Sequence, residues 1–264
     1  MNLQELIDKY PFIKTALDFL DQYGGMIFAA AFFLLMFYIF YWIIVIAPRR
    51  VKKVFSYLNK RLGYATLDKD SKVIVQMINT LAPIFPVGPL KDHDVPEWTR
   101  QLAVKMRTVN NADRYIINVR RSQVDKVGVR MNSTLRKTNL VLEKRKLKFT
   151  EPVHIHPIKN RVQIRWKDRY KLKKVSSGLD REFLKNYNMY NKSGKISNFP
   201  SPLRDALMNV CPSLCDRSRF CFQNGVTLKF QKEGWGICPV NEIYKEKDMK
   251  VLIDVIEKIS VALS

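Results

Sequence analysis

The sequence predicts an α+β fold: one N-terminal transmembrane helix followed by an antiparallel-sheet domain with a terminal helix-hairpin-helix unit. Three observations carry that expectation. Met26 to Ala47 is a run of 22 residues without a charge. After Trp98 apolar and polar residues alternate, the period of a strand. Near the C-terminus Met249, Leu252, Ile253, Ile256 and Leu263 recur at the period of a helix that needs a sheet to cover. With 264 residues, 47% of them apolar, the chain can build a real core, and wholesale disorder is excluded. Ten Gly and twelve Pro, with no repeat of fixed period, exclude fibrous and solenoid architectures.

At the N-terminus, Leu3, Leu6, Ile7, Tyr10, Ile13, Leu17 and Leu20 form an amphipathic stripe interrupted by Pro11, suited to a membrane interface or to a partner helix. The uncharged run that follows is long enough, at about 1.5 Å per residue, to cross the ~30 Å hydrocarbon core. Tyr23 on one side and Tyr38, Tyr41 and Trp42 on the other stand where interfacial aromatics stand. A cleavable signal peptide is not expected, because the preceding segment is acidic and no small-residue cleavage site follows. Arg49, Arg50, Lys52, Lys53, Lys60 and Arg61 come just after the run. The positive-inside rule therefore places the N-terminus outside and the rest in the cytoplasm, at an inner membrane.

Val51, Val54, Phe55, Leu58 and Leu62 continue a helical stripe that Gly63 ends. A second helix opens at Asp70-Ser71 and places Val73, Ile74, Met77, Ile78 and Leu81 on one side; Pro83, Pro86 and Pro89 follow as a rigid connection. Strands are expected over Leu102–Met106, Tyr115–Val119, Val124–Met131, Asn139–Phe149, Val153–His156 and Val162–Trp166, as an antiparallel meander with one face basic and wet. Pro202–Val210 reads as a short helix. Phe220 to Phe230 reads as a hairpin about Asn224-Gly225, a dipeptide suited to a turn with positive φ at both central residues. The expected organisation is thus an outer amphipathic segment (1–24), a membrane helix (25–48), a basic juxtamembrane helix with a connecting helix (49–96) and a cytoplasmic α+β domain (97–264).

The order of anchor, Arg61-Leu62-Gly63-Tyr64, helix, Phe85-Pro86, basic β stretch with His156-Pro157, Gly178-Leu179-Asp180-Arg181-Glu182-Phe183, Pro202-Leu203, hairpin and closing helix resembles a loose group of uncharacterised bacterial membrane-anchored proteins. The resemblance covers nearly everything after residue 45, through element order and short words. It implies this architecture and a bacterial source, and no activity. The chain departs from the group in a β stretch that is more basic and lacks an aromatic-rich strand.

No reaction is legible. Cys211, Cys215, Cys221 and Cys238 lie within 28 residues but lack the C-x2-C knuckle of thiolate zinc sites, and a cytoplasmic setting disfavours disulfides, so buried reduced thiols are expected. His154 and His156 on a strand would share one face, with His93 as a third metal ligand only if folding brings it near. Asp180 and Glu182 have no nucleophile or histidine beside them, which suits a capping role. Ser193-Gly194-Lys195 lacks the upstream glycine of a phosphate loop, and no hydrolase triad or nucleophile elbow is visible. No cofactor is expected.

Charge is the feature that asks for a partner. Of the formal +22, residues 101–174 hold +16, whereas 201–264 are nearly neutral. Arg49, Arg50, Lys52, Lys53, Arg161, Arg165, Lys167 and Arg169 are the candidate anion-binding residues. Tyr115, Trp166 and Tyr170 are available to stack bases if the anion is nucleic acid, for which no motif speaks. The reading is a membrane-anchored, non-enzymatic binding or scaffold protein facing lipid headgroups, an acidic protein in a membrane complex, or nucleic acid. The alternatives are a membrane-anchored enzyme with a Cys/His metal site and a structural subunit of a larger membrane complex.

Overall fold

The computed structural model describes residues 11–68, 72–83, 97–127, 130–158, 172–214, 226–239 and 242–264. They divide into two compact units, within residues 1–50 and 51–264. The first is helical. Helix α1 (Pro11–Tyr41) passes through a five-residue π-helical stretch, Trp42–Ile46, into α2 (Ala47–Leu62). Pro11 is the first residue of α1, where its missing N–H and fixed φ are tolerated, and the stripe residues before it, Leu3 to Tyr10, lie outside the described residues. Within this helical run Asp21–Leu62 contains a stretch long and apolar enough to cross a membrane. Phe28, Phe33, Leu34 and Phe37 are exposed along it, as a surface meant for lipid would be.

From Val51 the chain enters the second unit, and its residues alternate between core and solvent. Val51, Val54, Phe55 and Leu58 are buried in the core. Gly63, at φ +69°, stops α2 in the left-handed conformation that a β-carbon disfavours, and the Tyr64 amide turns back to the Leu58 carbonyl at 3.1 Å. Strand β1 (Ala65–Leu67) leads to α3 (Lys72–Leu81), which buries Ile74, Met77, Ile78 and Leu81. Val73, expected on that side, is 52% exposed, because it falls one residue off the buried stripe.

Nine strands among the described residues form one sheet in the order β1-β2-β3-β4-β9-β8-β5-β7-β6, every neighbouring pair antiparallel. They are β2 (Glu97–Val109), β3 (Ala112–Val127), β4 (Arg130–Lys144), β5 (Val153–Pro157), β6 (Lys173–Lys174), β7 (Tyr187–Asn191), β8 (Val226–Gln231) and β9 (Gly234–Pro239). Helices α4 (Arg181–Asn186), α5 (Ser201–Leu214) and α6 (Glu246–Ala262) complete the α+β fold. The expected strand Val124–Met131 is in fact the end of one hairpin: β3 stops at Val127 and β4 starts opposite it at Arg130. Polar Arg120–Gln123 does not break β3, since partners on one or both sides hold its backbone.

Asn224-Gly225 and Phe220–Phe222 lie outside the described residues, but β8 pairs with β9 on one side and with β5 on the other. The backbone of Leu228–Phe230 is thus paired on both sides. The real hairpin joins β8 to β9 through Lys232-Glu233 and sits in the middle of the sheet, so α5, hairpin and α6 follow in order without forming a separate unit. A second tight turn, Asn110-Asn111 between β2 and β3, has φ +50° and +58°, the primed geometry that suits the twist of paired strands. In the meander, Arg114–Val119 and Thr138–Glu143 are buried at every position, on both faces, while Arg107 and Thr108 of β2 and Lys144 of β4 are exposed.

That burial includes charge. The Glu143 carboxylate on β4 accepts from Arg114 Nε on β3 (3.0 Å), Trp235 Nε1 on β9 (3.1 Å) and Ser260 Oγ on α6 (2.8 Å), with Arg145 Nε 3.4 Å away. Asn118 on β3 donates to Asn139 on β4 (3.0 Å) and to Glu242 ahead of α6 (2.5 Å). Gly234 opens β9 at φ +148°, and a β-carbon there would stand 2.1 Å from the Glu143 carbonyl oxygen. Gly234→Val is expected to lower the thermal midpoint of the full chain in detergent by several degrees or abolish folding, a loss of about 3 kcal/mol or more. An unchanged midpoint would show that the β4–β9 contact is not as close as described.

Candidate functional site

The basic side of α2 follows from spacing. With 3.6 residues per turn, a buried stripe of Val51, Val54, Phe55 and Leu58 leaves Arg49, Lys53 and Lys60 along the opposite line, flanked by Arg50, Lys52 and Arg61. All six are exposed. Arg49 with Lys52 and Lys53, and Arg50 with Lys53, are like-charge neighbours at three- and four-residue spacing. Each such pair costs an isolated helix a few tenths of a kcal/mol (~0.2–0.5). An anionic surface reverses that sign, contributing about 1 kcal/mol per basic residue near it. Of the other candidates, Arg161, Arg165, Lys167 and Arg169 lie outside the described residues, as do Trp166 and Tyr170. Tyr115 is 5% exposed in the core and offers no face to a base.

The two histidines behave as strand geometry requires. On β5, His154 and His156 share one face of the sheet, both buried. Register places Lys229 of β8 and Tyr190 of β7 on either side of His154, and Lys174 of β6 beyond Tyr190. The His156 ring lies against Tyr190 with centroids 5.5 Å apart and planes 5° from parallel. Burial, with Lys229 and then His156 nearby, lowers the His154 pKa to about 3; burial and then Lys174 lower that of His156 to about 4. Burial likewise lowers Lys229 to about 8, although Glu233 opposes it, and its ammonium donates to the Thr80 carbonyl in the last turn of α3, the negative end of that helix.

Neutral imidazoles are suitable metal ligands, but among the described residues no three His, Cys, Asp or Glu side chains come together to hold an ion. Cys211 lies on α5 and Cys238 on β9, both buried, with Cys238 Sγ within 3.9 Å of Thr138 Oγ1. Cys215, Cys221 and His93 lie outside the described residues. Asp180 is the N-cap of α4: its Oδ1 accepts from the Phe183 amide at 2.7 Å and its Oδ2 from Arg204 at 3.0 Å. It borders a cleft of about 330 Å³ with Glu182, Arg204, Asp205, Met208 and Asn209. A second cleft of about 260 Å³ includes Lys148, Glu151, Ser193 and Lys195. There Ser193 donates to Glu151 through both N and Oγ, and Asn191 Oδ1 accepts from the Gly194 amide at 2.7 Å. The Ser193-Gly194-Lys195 turn is thus fastened to its own chain and makes no phosphate cradle.

Sequence reasoning passed over Lys229 and Tyr190. The signal was present in part: Thr227, Lys229 and Gln231 alternate with apolar Val226, Leu228 and Phe230, but which strands flank β8 is not written in that alternation.

No protein-family model matches the chain, and no curated protein matches it. Among solved structures it is similar to the crystal structure of the mycobacterial trehalose monomycolate transport factor A, TtfA, at 11% sequence identity and a TM-score of 0.41, over 82% of this chain and 94% of that one. A likeness this low transfers nothing from that protein to this one.

The histidine pair sets a pH dependence. Both folded-state values lie below the ordinary 6.5, so as pH falls the unfolded chain takes up protons first. Stability should decline from about pH 6.5 toward the folded values, with a limiting slope of about 2.7 kcal/mol per pH unit for two groups. Thermal midpoints of the full chain in detergent between pH 7 and 4.5 check this. The double variant His154→Gln, His156→Gln is expected to flatten that decline, and an equally steep decline would remove the histidines as its cause.

Proposed function

We propose that this chain is a membrane-anchored, non-enzymatic binding or scaffold protein whose basic domain engages an anionic partner. In this reading α1 crosses the inner membrane with its N-terminus outside, and residues 51–264 stand in the cytoplasm, in keeping with the resemblance to membrane-anchored bacterial proteins. The observation that carries it is α2: directly after the apolar run, one side of the helix is committed to the core while the opposite side exposes six cations. Exposed like charges contribute nothing to folding, so their clustering is best explained by an anion outside the domain. The steep excess of Lys and Arg in residues 101–174 points the same way.

The full chain, held in neutral nanodiscs, is expected to bind at least one of three probes at low salt: phosphatidylglycerol vesicles, an RNA oligomer or a polyglutamate peptide. Binding should weaken at least about tenfold on going to about 0.5 M salt, as charges are screened. Failure to bind any of the three at low salt would falsify the anionic-partner reading. Orientation has its own check. A reporter active only in the cytoplasm, fused after Ser264, should be active, and one that works only outside would reverse the topology.

A further inference from the structure

Helix α2 carries its cations with no acid among them: from Ala47 to Leu62 the sequence holds neither Asp nor Glu. Besides the six basic residues, its exposed positions are Ser56 and Asn59. Of its two aromatics, Phe55 is buried, and Tyr57 is half-buried with Lys250 Nζ of α6 5.5 Å from its ring centroid. The outer side therefore offers charge and hydrogen-bonding groups and no exposed apolar side chain. Position along the chain adds a second constraint. Ala47 ends the uncharged run of 22 residues and begins α2. At about 1.5 Å per residue, Arg49 to Lys53 stand about 3–9 Å along the helix from Ala47, and Lys60 and Arg61 about 20 Å. The headgroup layer on either side of the ~30 Å hydrocarbon core is itself about 5–7 Å deep.

We propose that Arg49, Arg50, Lys52 and Lys53 bind the phosphates of anionic phospholipids in the bilayer that the apolar run enters. The proposal rests on the anionic-partner reading above and names the partner. Two observations favour lipid over the other anions. The first is the composition of the outer side. Protein interfaces are built around apolar or aromatic anchors, with charge depleted at their centre, and α2 exposes no such anchor. Single-stranded nucleic acid needs an aromatic face for its bases as well as cations for its phosphates, and α2 exposes none. A headgroup layer needs neither, since its phosphates move laterally to whatever cations enter it. The second is reach. With the apolar run in hydrocarbon, all four cations lie in the headgroup layer or within one Debye length of it, about 8–10 Å. Any other anion would have to displace lipid already present. Phosphates between like-charged neighbours replace repulsion by charge-assisted hydrogen bonds, which Arg49 and Arg50 can make in bidentate fashion. Lys60 and Arg61 are too far along the helix to be assigned the same role.

Lysine acetylation of the full chain by a water-soluble reagent, read site by site by mass spectrometry, tests this, because an ammonium held by phosphate reacts slowly. The chain is held at low salt in neutral nanodiscs or in discs with about 30% phosphatidylglycerol. Lys52 and Lys53 are expected to react about threefold or more slowly in the anionic discs, and about 0.5 M salt should at least halve that difference. Lys232, exposed in the turn between β8 and β9, is the reference and should change far less. The charge-preserving variant Arg49→Lys, Arg50→Lys turns the two arginine positions into reporters, which should be slowed as Lys52 and Lys53 are. RNA or polyglutamate added to the anionic discs should slow none of these positions further. Slowing at Lys52 and Lys53 no larger than at Lys232 overturns the proposal, and so does slowing that salt leaves untouched. Further slowing by RNA or polyglutamate in the anionic discs also overturns it, since the occupant is then of another class. If RNA or polyglutamate slows Lys52 and Lys53 in neutral discs while phosphatidylglycerol does not, the anionic-partner reading stands and only this assignment falls. If none of the three slows any lysine, both fall.

Discussion

The carboxylate of Glu143 is the point on which the large unit turns. It gathers hydrogen bonds from β3, β9 and α6, and the Arg145 beside it reaches in two directions, to the Ser260 carbonyl at 2.7 Å and the Asn110 carbonyl at 3.1 Å. One side chain thereby fastens the closing helix to the sheet and the β2–β3 turn to both. A buried carboxylate is expensive to desolvate, and pairing it with a buried Arg114 offsets the cost only because the remaining lone pairs also find donors. Such a cluster contributes little net stability against an apolar replacement. Its consequence is register: only one alignment of β4 against β3 and β9 gives Glu143 all its partners, whereas apolar neighbours such as Val141 and Leu142 would tolerate others.

This division of labour organises the charges of the whole unit. Where side chains are buried, each charge has an opposite or a dipole to answer it: Arg114 has Glu143, and Lys229 has the carboxyl end of α3. On the outer side of α2, where six cations are exposed, the matching stops. A chain with 24 acidic residues to 46 basic ones could have supplied counterions there. That it spends buried acids on the fold and places none among residues 49–61 is the reason for seeking an anion elsewhere.

How much of this was legible in the sequence depended on range. Local periodicity located the apolar helix, the buried stripe of α2, most of that of α3, the strand bearing His154 and His156, and the stripe of α6. Capping chemistry placed Asp180 correctly. Turn chemistry at Asn224-Gly225 concerns residues outside the described ones, and a favourable dipeptide says nothing about which strands flank β8. The Asn110-Asn111 turn does the same work with residues that tolerate positive φ less readily than glycine. The burial of β3 and β4 on both faces at Arg114–Val119 and Thr138–Glu143 was hidden for a related reason. Alternation reports that one face differs from the other, but which helices cover each face is decided by contacts far apart in sequence, and Arg114 reads as a surface residue until Glu143, 29 positions on, is brought opposite to it. Of the described Cys and His candidates, His154 and His156 share a face of β5, whereas Cys211 lies on α5 and Cys238 on β9.

Helix α2 shows why fold and function can be separated experimentally in this chain. Its two sides have different dependencies: Val54 and Leu58 touch only the core, Lys53 and Lys60 only the surroundings. Within the large unit, the rotation of α2 about its own axis is set by its buried stripe. Burying Val51, Val54, Phe55 and Leu58 therefore also determines where the six cations point, and no separate device is needed to present them. A surface held this way is preorganised: the ordering entropy of the backbone is met by folding, and only side-chain freedom remains to be lost when an anion arrives.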